Sequence, residues 1–171
     1  MQPEDERAVR IFGQWKHRDR RSEQAVGNSA APEVYSDLMK NVFAPALRSA
    51  GLRGSSGRFE LPSDIYWVQL GFQRSAYNSG DEVRFTVNLS VIRRDKWEAR
   101  RATEPHLGKE PSPNIKYGAW ATQTRIGKLT PGGEDKWWRI VRGAEVDPVR
   151  DDALADLVAL GVPWLVANAS S

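Results

Sequence analysis

The stretch IYWVQLGFQR at positions 65–74, followed by VRFTVNLSVI at 83–92, decides the fold. In the first segment Tyr66, Val68, Leu70 and Phe72 alternate with Trp67, Gln69 and Gln73. In the second, Val83, Phe85, Val87, Leu89 and Val91 alternate with Arg84, Thr86, Asn88 and Ser90. Successive side chains of a strand point to opposite faces, so each segment predicts a half-buried strand. Asn78-Ser79-Gly80-Asp81 between them is hairpin chemistry, with Ser79-Gly80 as the expected two-residue loop. That loop pairs Phe72 with Val87, Leu70 with Leu89, Val68 with Val91, Gln73 with Thr86 and Gln69 with Ser90. A slip of one residue would set apolar against polar side chains on both faces. Turn and pattern therefore specify one register.

Upstream, about Pro32 to Ala50 predicts a helix. Val34, Leu38, Val42, Ala46 and Ala50 step by four, and Phe43 and Leu47 widen the stripe. Pro32 falls in the first turn, where a missing N–H does no harm, and Gly51 stands where a left-handed residue closes a helix. Pro45 cannot bond the Asn41 carbonyl and predicts a kink. Arg58 to Leu61 predicts a short strand.

Downstream, Asp95 to Arg101 predicts a helical turn. Ala102 to Gly118, with Pro105, Pro111 and Pro113, predicts a loop of a length that is usually functional or disordered. Ala119 to Leu129 and Lys136 to Arg142 predict a second hairpin, turning at Pro131-Gly132-Gly133. Asp147 is the expected N-cap of the last helix, with Pro148 at its first position and Asp151 and Asp152 favourable to its dipole. Val149, Ala153, Leu157 and Leu160 form its stripe, Gly161 its end, and Val162-Pro163-Trp164-Leu165 an apolar tail that docks. The order reads as α+β: an antiparallel meander sheet of four to five strands with two main helices packed on one face.

The 171 residues fit one domain. The expected organisation is a polar, partly mobile leader at 1–31, a single domain at 32–165 and a C-terminal tail at 166–171. The leader carries Phe12 and Trp15 for loose docking and the basic run Lys16 to Arg21. With no cysteine, disulfides, thiolate catalysis and cysteine-ligated zinc are excluded. The start has no apolar core of a secretory signal, and no apolar run approaches the roughly 20 residues of a membrane helix. A cytoplasmic protein without membrane contact is the expectation.

No catalytic residue, metal set or cofactor emerges. His17 lies in the leader and His106 in the long loop, without the rigid support that catalysis needs. Gly127-Lys128-Leu129-Thr130 lacks the upstream glycine of a phosphate-binding loop. Of Asp151, Asp152 and Asp156, the first two are explained by compensation of the helix dipole without catalysis.

Two surfaces invite a binding reading. The second face of the sheet presents Trp67, Gln69, Gln73, Arg84, Thr86 and Asn88, with Gln123 and Arg125 joining from the next strand. Amides, guanidinium groups and a tryptophan on rigid strands suit a polar ligand or a protein partner, although an ordinary solvated face is the simpler account. On this reading, Gln69, Arg84 and Asn88 are solvent-facing and dispensable for stability. Trp137 and Trp138 alternate, so one enters the core and the other reaches the polar face.

The alternative is a polyanion site at Arg93, Arg94, Trp97, Arg100 and Arg101, where arginines would meet phosphates and Trp97 stack on a base. The net charge of +3 is a small surplus for such a partner, so nucleic acid is disfavoured. The leading expectation is a non-enzymatic binding or protein-interaction module using the polar sheet face. An enzyme of unrecognised type stands third, and the oligomeric state is open.

A set of segments carries a family resemblance. They are Phe43-Ala44-Pro45-Ala46-Leu47 with Gly51, Phe72-Gln73-Arg74-Ser75 and Arg84-Phe85-Thr86-Val87-Asn88-Leu89. Arg125-Ile126-Gly127, Trp137-Trp138 and Gly161-Val162-Pro163-Trp164 complete it. In this order and spacing they resemble the bacterial domain of unknown function 4304 family, over about Val34 to Leu165. The resemblance implies a small bacterial cytosolic α+β domain and carries over no catalytic residues.

Overall fold

The computed structural model describes residues 29–170. The leader's Phe12, Trp15 and basic run, and the first residues of the expected linker, lie outside the described residues. The central hairpin joins β3 (Tyr66–Arg74) to β4 (Glu82–Arg93) in the expected register. Phe72 faces Val87, Leu70 faces Leu89, Val68 faces Val91, Gln73 faces Thr86 and Gln69 faces Ser90. The turn is wider than a two-residue loop. Ser79 N–H donates to the Glu82 carbonyl, while the Asn78 amide brackets the Arg84 backbone, accepting from its N–H at 2.8 Å.

β1 (Arg53–Ser55) and β2 (Arg58–Leu61) extend the sheet beyond β3. They turn at Ser56 and Gly57, whose φ values of 53° and 84° give a tight hairpin that follows the strand twist. On the other side the expected second hairpin is not formed. β5 (Thr122–Arg125) and β6 (Trp138–Val141) do not pair with each other; both pair with β4, one behind the other along the same edge. β4 has 12 residues, long enough for two short antiparallel partners in tandem. Residues 126–137 form an excursion between them, pinned where Thr86 Oγ1 donates to the Lys136 carbonyl at 2.7 Å.

Two long helical segments cover the odd-numbered face of β4. The first runs through α1 (Ala31–Leu38), a π-helical turn Met39–Phe43 and α2 (Ala44–Ser49). α3 (Arg94–Thr103) lies elsewhere, following β4 directly. The second long segment runs through α4 (Asp147–Asp156), a π turn Leu157–Gly161 and α5 (Val162–Asn168). The disturbance expected at Pro45 thus takes the form of a π turn. A proline ring crowds the carbonyl four residues back and offers it no N–H, and a widened turn relieves both. Ala44 N–H reaches back five residues to the Met39 carbonyl, and Val162 N–H does the same to Leu157; Pro45 and Pro163 each follow these residues by one.

Gly161 therefore does not end the last helix, and the expected tail is helical to Asn168, with Leu165 buried in the core. A side chain at Gly161 would touch Ile126 Cδ1 at 3.4 Å and Leu89 Cδ2 at 3.8 Å, so glycine lets this helix settle on β4. Gly51, at φ 96°, does close the first helical segment. Asp147 lies inside α4 rather than capping it, and its carboxylate instead accepts from Arg150 at 2.8 Å. The core between helices and sheet is aromatic at one end, where Phe85 meets the rings of Tyr35, Phe43, Phe72 and Trp138.

Candidate functional site

Strand alternation places Trp67, Gln69, Gly71 and Gln73 of β3 beside Arg84, Thr86, Asn88, Ser90 and Ile92 of β4, on the face away from the two long helical segments. Half of this face is not solvated. α3 and the 104–121 loop fold over the end nearest Ile92. Trp97 is buried there, donating its indole N–H to the Lys109 carbonyl at 3.2 Å and meeting Tyr117 edge-on.

The loop is fastened rather than loose. Arg58 donates to the Pro111 carbonyl at 2.7 Å and the Asn114 amide to the Phe72 carbonyl at 3.1 Å. Gly71 makes room for it, since a Cβ there would lie 2.5 Å from Asn114 Oδ1 and 2.7 Å from Pro113 Cγ.

This cover corrects part of the sequence reading. Gln69 is only 1% exposed, so replacing it with alanine is a core truncation and not a surface change. Trp67 is half-buried beneath the Arg94 guanidinium, 3.7 Å from its ring centre. Arg84 is exposed at the far end of the sheet, where it and Arg139 both bind Glu82. Those hydrogen bonds hold the Glu82 carboxyl down to about 2. None of the three lines the cleft described next.

Gln73, Asn88, Gln123 and Arg125 do come together. They line a cleft of about 520 Å³ with Asn114 and Asp135, among others. The β4–β5 register sets Asn88 opposite Arg125 and Ser90 opposite Gln123, which brings the side chains onto one face. Asn88 donates both amide hydrogens, to Gln73 Oε1 at 2.8 Å and to Asn114 Oδ1 at 2.9 Å. Its own Oδ1 accepts from Arg125 Nε at 3.2 Å. Arg125 also donates to Asp135 Oδ2 at 2.7 Å, and the same oxygen accepts the Trp137 indole N–H at 3.0 Å.

Gln123 is fixed from both ends, donating to the Ile115 carbonyl and accepting from the Tyr117 backbone. Trp138 enters the core, and Trp137 stands beside Arg125 on the polar side, with 5.3 Å between guanidinium and ring centre. Asn114, Asp135 and Lys116 were not singled out in the sequence, and Lys128 was named only within a stretch set aside as no phosphate-binding loop. Nothing in their local pattern marks them; the loops bring them in.

The basic segment has a different character. Trp97 is inside the molecule, so it offers no face for stacking. Arg93 pairs with Asp95, Arg94 with Glu60, Arg100 with Glu104 and Arg101 with Glu98. The Arg93 guanidinium, hydrogen-bonded to Asp95, holds that carboxyl down to about 2.

Asp152 and Asp156 also do more than balance a helix dipole. Lys136 Nζ sits between their carboxylates at 2.7 and 2.6 Å, and Asp152 accepts the Trp138 indole N–H at 2.8 Å. Burial alone favours the neutral amine of Lys136, but its hydrogen bonds to the two aspartates outweigh that and raise its pKa. Burial likewise pushes the Asp152 carboxyl up, and the Lys136 and Trp138 hydrogen bonds outweigh it and hold the pKa below its usual value.

A carboxylate whose pKa is lower folded than unfolded adds stability above the unfolded pKa and loses it as pH falls through the folded one. Lys136→Met should therefore destabilise the protein near neutrality, and its difference from wild type should shrink below about pH 4, the ordinary aspartate value. Urea midpoints measured from neutral pH downward check this. A difference that stays constant with pH contradicts it.

A family model described as a domain of unknown function (DUF4304) matches residues 43–167, a span that includes every strand of the cleft. No curated protein and no solved structure matches the chain.

Proposed function

We propose that this chain, which belongs to the domain of unknown function 4304 family, is a binding module for a small polar ligand held in the cleft of Gln73, Asn88, Gln123 and Arg125. The observation that carries the reading is their convergence. Side chains from three adjacent strands meet in one hydrogen-bonded network, under a loop pinned to the sheet at Arg58 and Phe72. Groups set on rigid strands and locked by their neighbours are preorganised, which lowers the entropic cost of binding. The volume of about 520 Å³ falls in the range of small-molecule sites, and polar groups fix a ligand's orientation in such a space. These groups hold and orient, and Asp135 is engaged by Arg125 and Trp137. The reading is therefore of binding and not of bond-breaking.

A fragment screen by amide-detected NMR tests this, using neutral and charged polar compounds and following the side-chain amides of Gln73, Asn88 and Gln123. Hits should concentrate on these signals, and Asn88→Ala should remove them while the protein stays folded. Hits that cluster elsewhere, or none at the cleft, would overturn the proposal.

A further inference from the structure

We infer that the cleft takes an anionic oxygen group, a carboxylate or phosphate, and that Asp135 is the internal anion it displaces from Arg125. The inference rests on the cleft being the ligand site and names the chemistry of its ligand.

Hydrogen-bond accounting points first to an acceptor-rich ligand. Both hydrogens of the Asn88 amide are donated, and its oxygen accepts from Arg125. Gln73 Oε1 accepts from Asn88, and Asn114 Oδ1 accepts from Asn88 as well. Each amide oxygen of the network thus already accepts at least one hydrogen bond. The donors still without a close partner are the Gln73 Nε2 hydrogens and the Arg125 NH2, whose contact to Gln73 is a stretched 3.5 Å.

Charge gives a second, independent argument. Lys116, Arg125 and Lys128 line the cleft against the single carboxylate of Asp135. Among the described residues neither lysine forms an ion pair.

The Arg125–Asp135 contact gives the third. It is a single-point pair, from one guanidinium nitrogen to one carboxylate oxygen that Trp137 shares. Its side chains are 33% and 43% exposed, and exposed pairs are worth only about 0–1 kcal/mol. A guanidinium matches two oxygens of a carboxylate or phosphate through paired N–H groups, and no anion takes such a pair here: Nε donates to Asn88 and one terminal nitrogen to Asp135. Arg125 is held on β5, whereas Asp135 sits on the 126–137 excursion outside any strand. Asp135 is the partner that yields.

The test titrates inorganic phosphate and succinate separately into the full chain at constant ionic strength, following the Arg125 Nε and Trp137 indole signals by NMR. At least one anion should shift both signals, the indole because its acceptor leaves. Asp135→Asn should tighten binding about two- to fivefold, as expected from releasing Arg125 from an exposed pair, and the double variant Lys116→Gln with Lys128→Gln should weaken it at least fivefold. Arg125→Gln should abolish it, and the lysine pair, being exposed, keeps the test valid if that variant unfolds. Tighter phosphate binding identifies a phosphate ligand; tighter succinate binding identifies a carboxylate. Unmoved Arg125 and Trp137 signals with both anions, or an Asp135→Asn affinity equal to wild type, would overturn the inference. If neutral fragments still occupy the cleft in that case, the binding function stands and only the anion assignment fails; if nothing occupies it, both fall.

Discussion

Phe85→Ala is expected to destabilise the protein by about 3–5 kcal/mol, the range for deleting a buried aromatic ring. Phe85 is fully buried and meets four other rings. Tyr35 and Phe43 come from the first helical segment, at 5.3 and 6.0 Å between ring centres, and Phe72 from β3 at 6.2 Å. Trp138 of β6 stacks at 5.4 Å and is itself tied to Asp152 of α4. Phe85 thus ties the first helical segment to the sheet, Trp138 links the second to the same cluster, and the elements around it are too constrained by strand pairing to close the hole. Leu89→Ala, under Gly161, should cost about 2–5 kcal/mol by the same mechanism. Phe85→Leu, which keeps most of the volume, should be milder than Phe85→Ala. Urea unfolding followed by tryptophan fluorescence measures all three. A Phe85→Ala loss below about 1 kcal/mol would mean the ring is not the junction described.

The second large effect is expected at Gly127. A Cβ there would lie 2.5 Å from both the Glu134 carbonyl oxygen and the Lys136 nitrogen, and 2.7 Å from Lys136 Cβ. Two of these are backbone atoms, which cannot swing aside as a side-chain tip does. Gly127→Ala must therefore push apart the neck of the 126–137 excursion. Overpacking of this kind costs about 1–3 kcal/mol and sometimes more. Because Asp135 lies between the two backbone groups that would move, the variant should also loosen its contact with Arg125. A destabilised protein with a shifted Arg125 Nε signal is the expected result. Unchanged stability together with an unchanged Arg125 signal would show that the neck has slack that the close approach does not suggest.

How much of this was legible beforehand depended on the range of the interactions involved. The β3–β4 register was legible because alternation and turn chemistry are local and agree. Phe43 and Leu47 could be placed in a core stripe for the same reason, since helical periodicity is read over neighbouring residues. Gln73, Asn88, Gln123 and Arg125 share a face by strand alternation, and the structure does gather them in one cleft. Gln69 belongs to the same alternating set, yet it is buried, on the end of the face that α3 and the later loop cover. Trp97 among arginines could be read either as an aromatic free to stack on a base or as a cap on the core; Tyr117 and Trp120 enclose it from that loop.

By itself, then, the sequence determined the elements whose side chains repeat with the period of their own backbone: the central hairpin, its register, the two helical stripes and the α+β class. Tertiary structure alone decided the rest. It decided that β5 and β6 share one edge of β4 instead of pairing with each other, because β4 is long enough to hold both. It decided that the 104–121 loop covers half of the polar face, because Gly71 leaves space for Pro113 and Asn114. It also brought Asp135 to Arg125 and Lys136 to Asp152 and Asp156. Electrostatic partners need only proximity in space, and no sequence period records which loop will supply them.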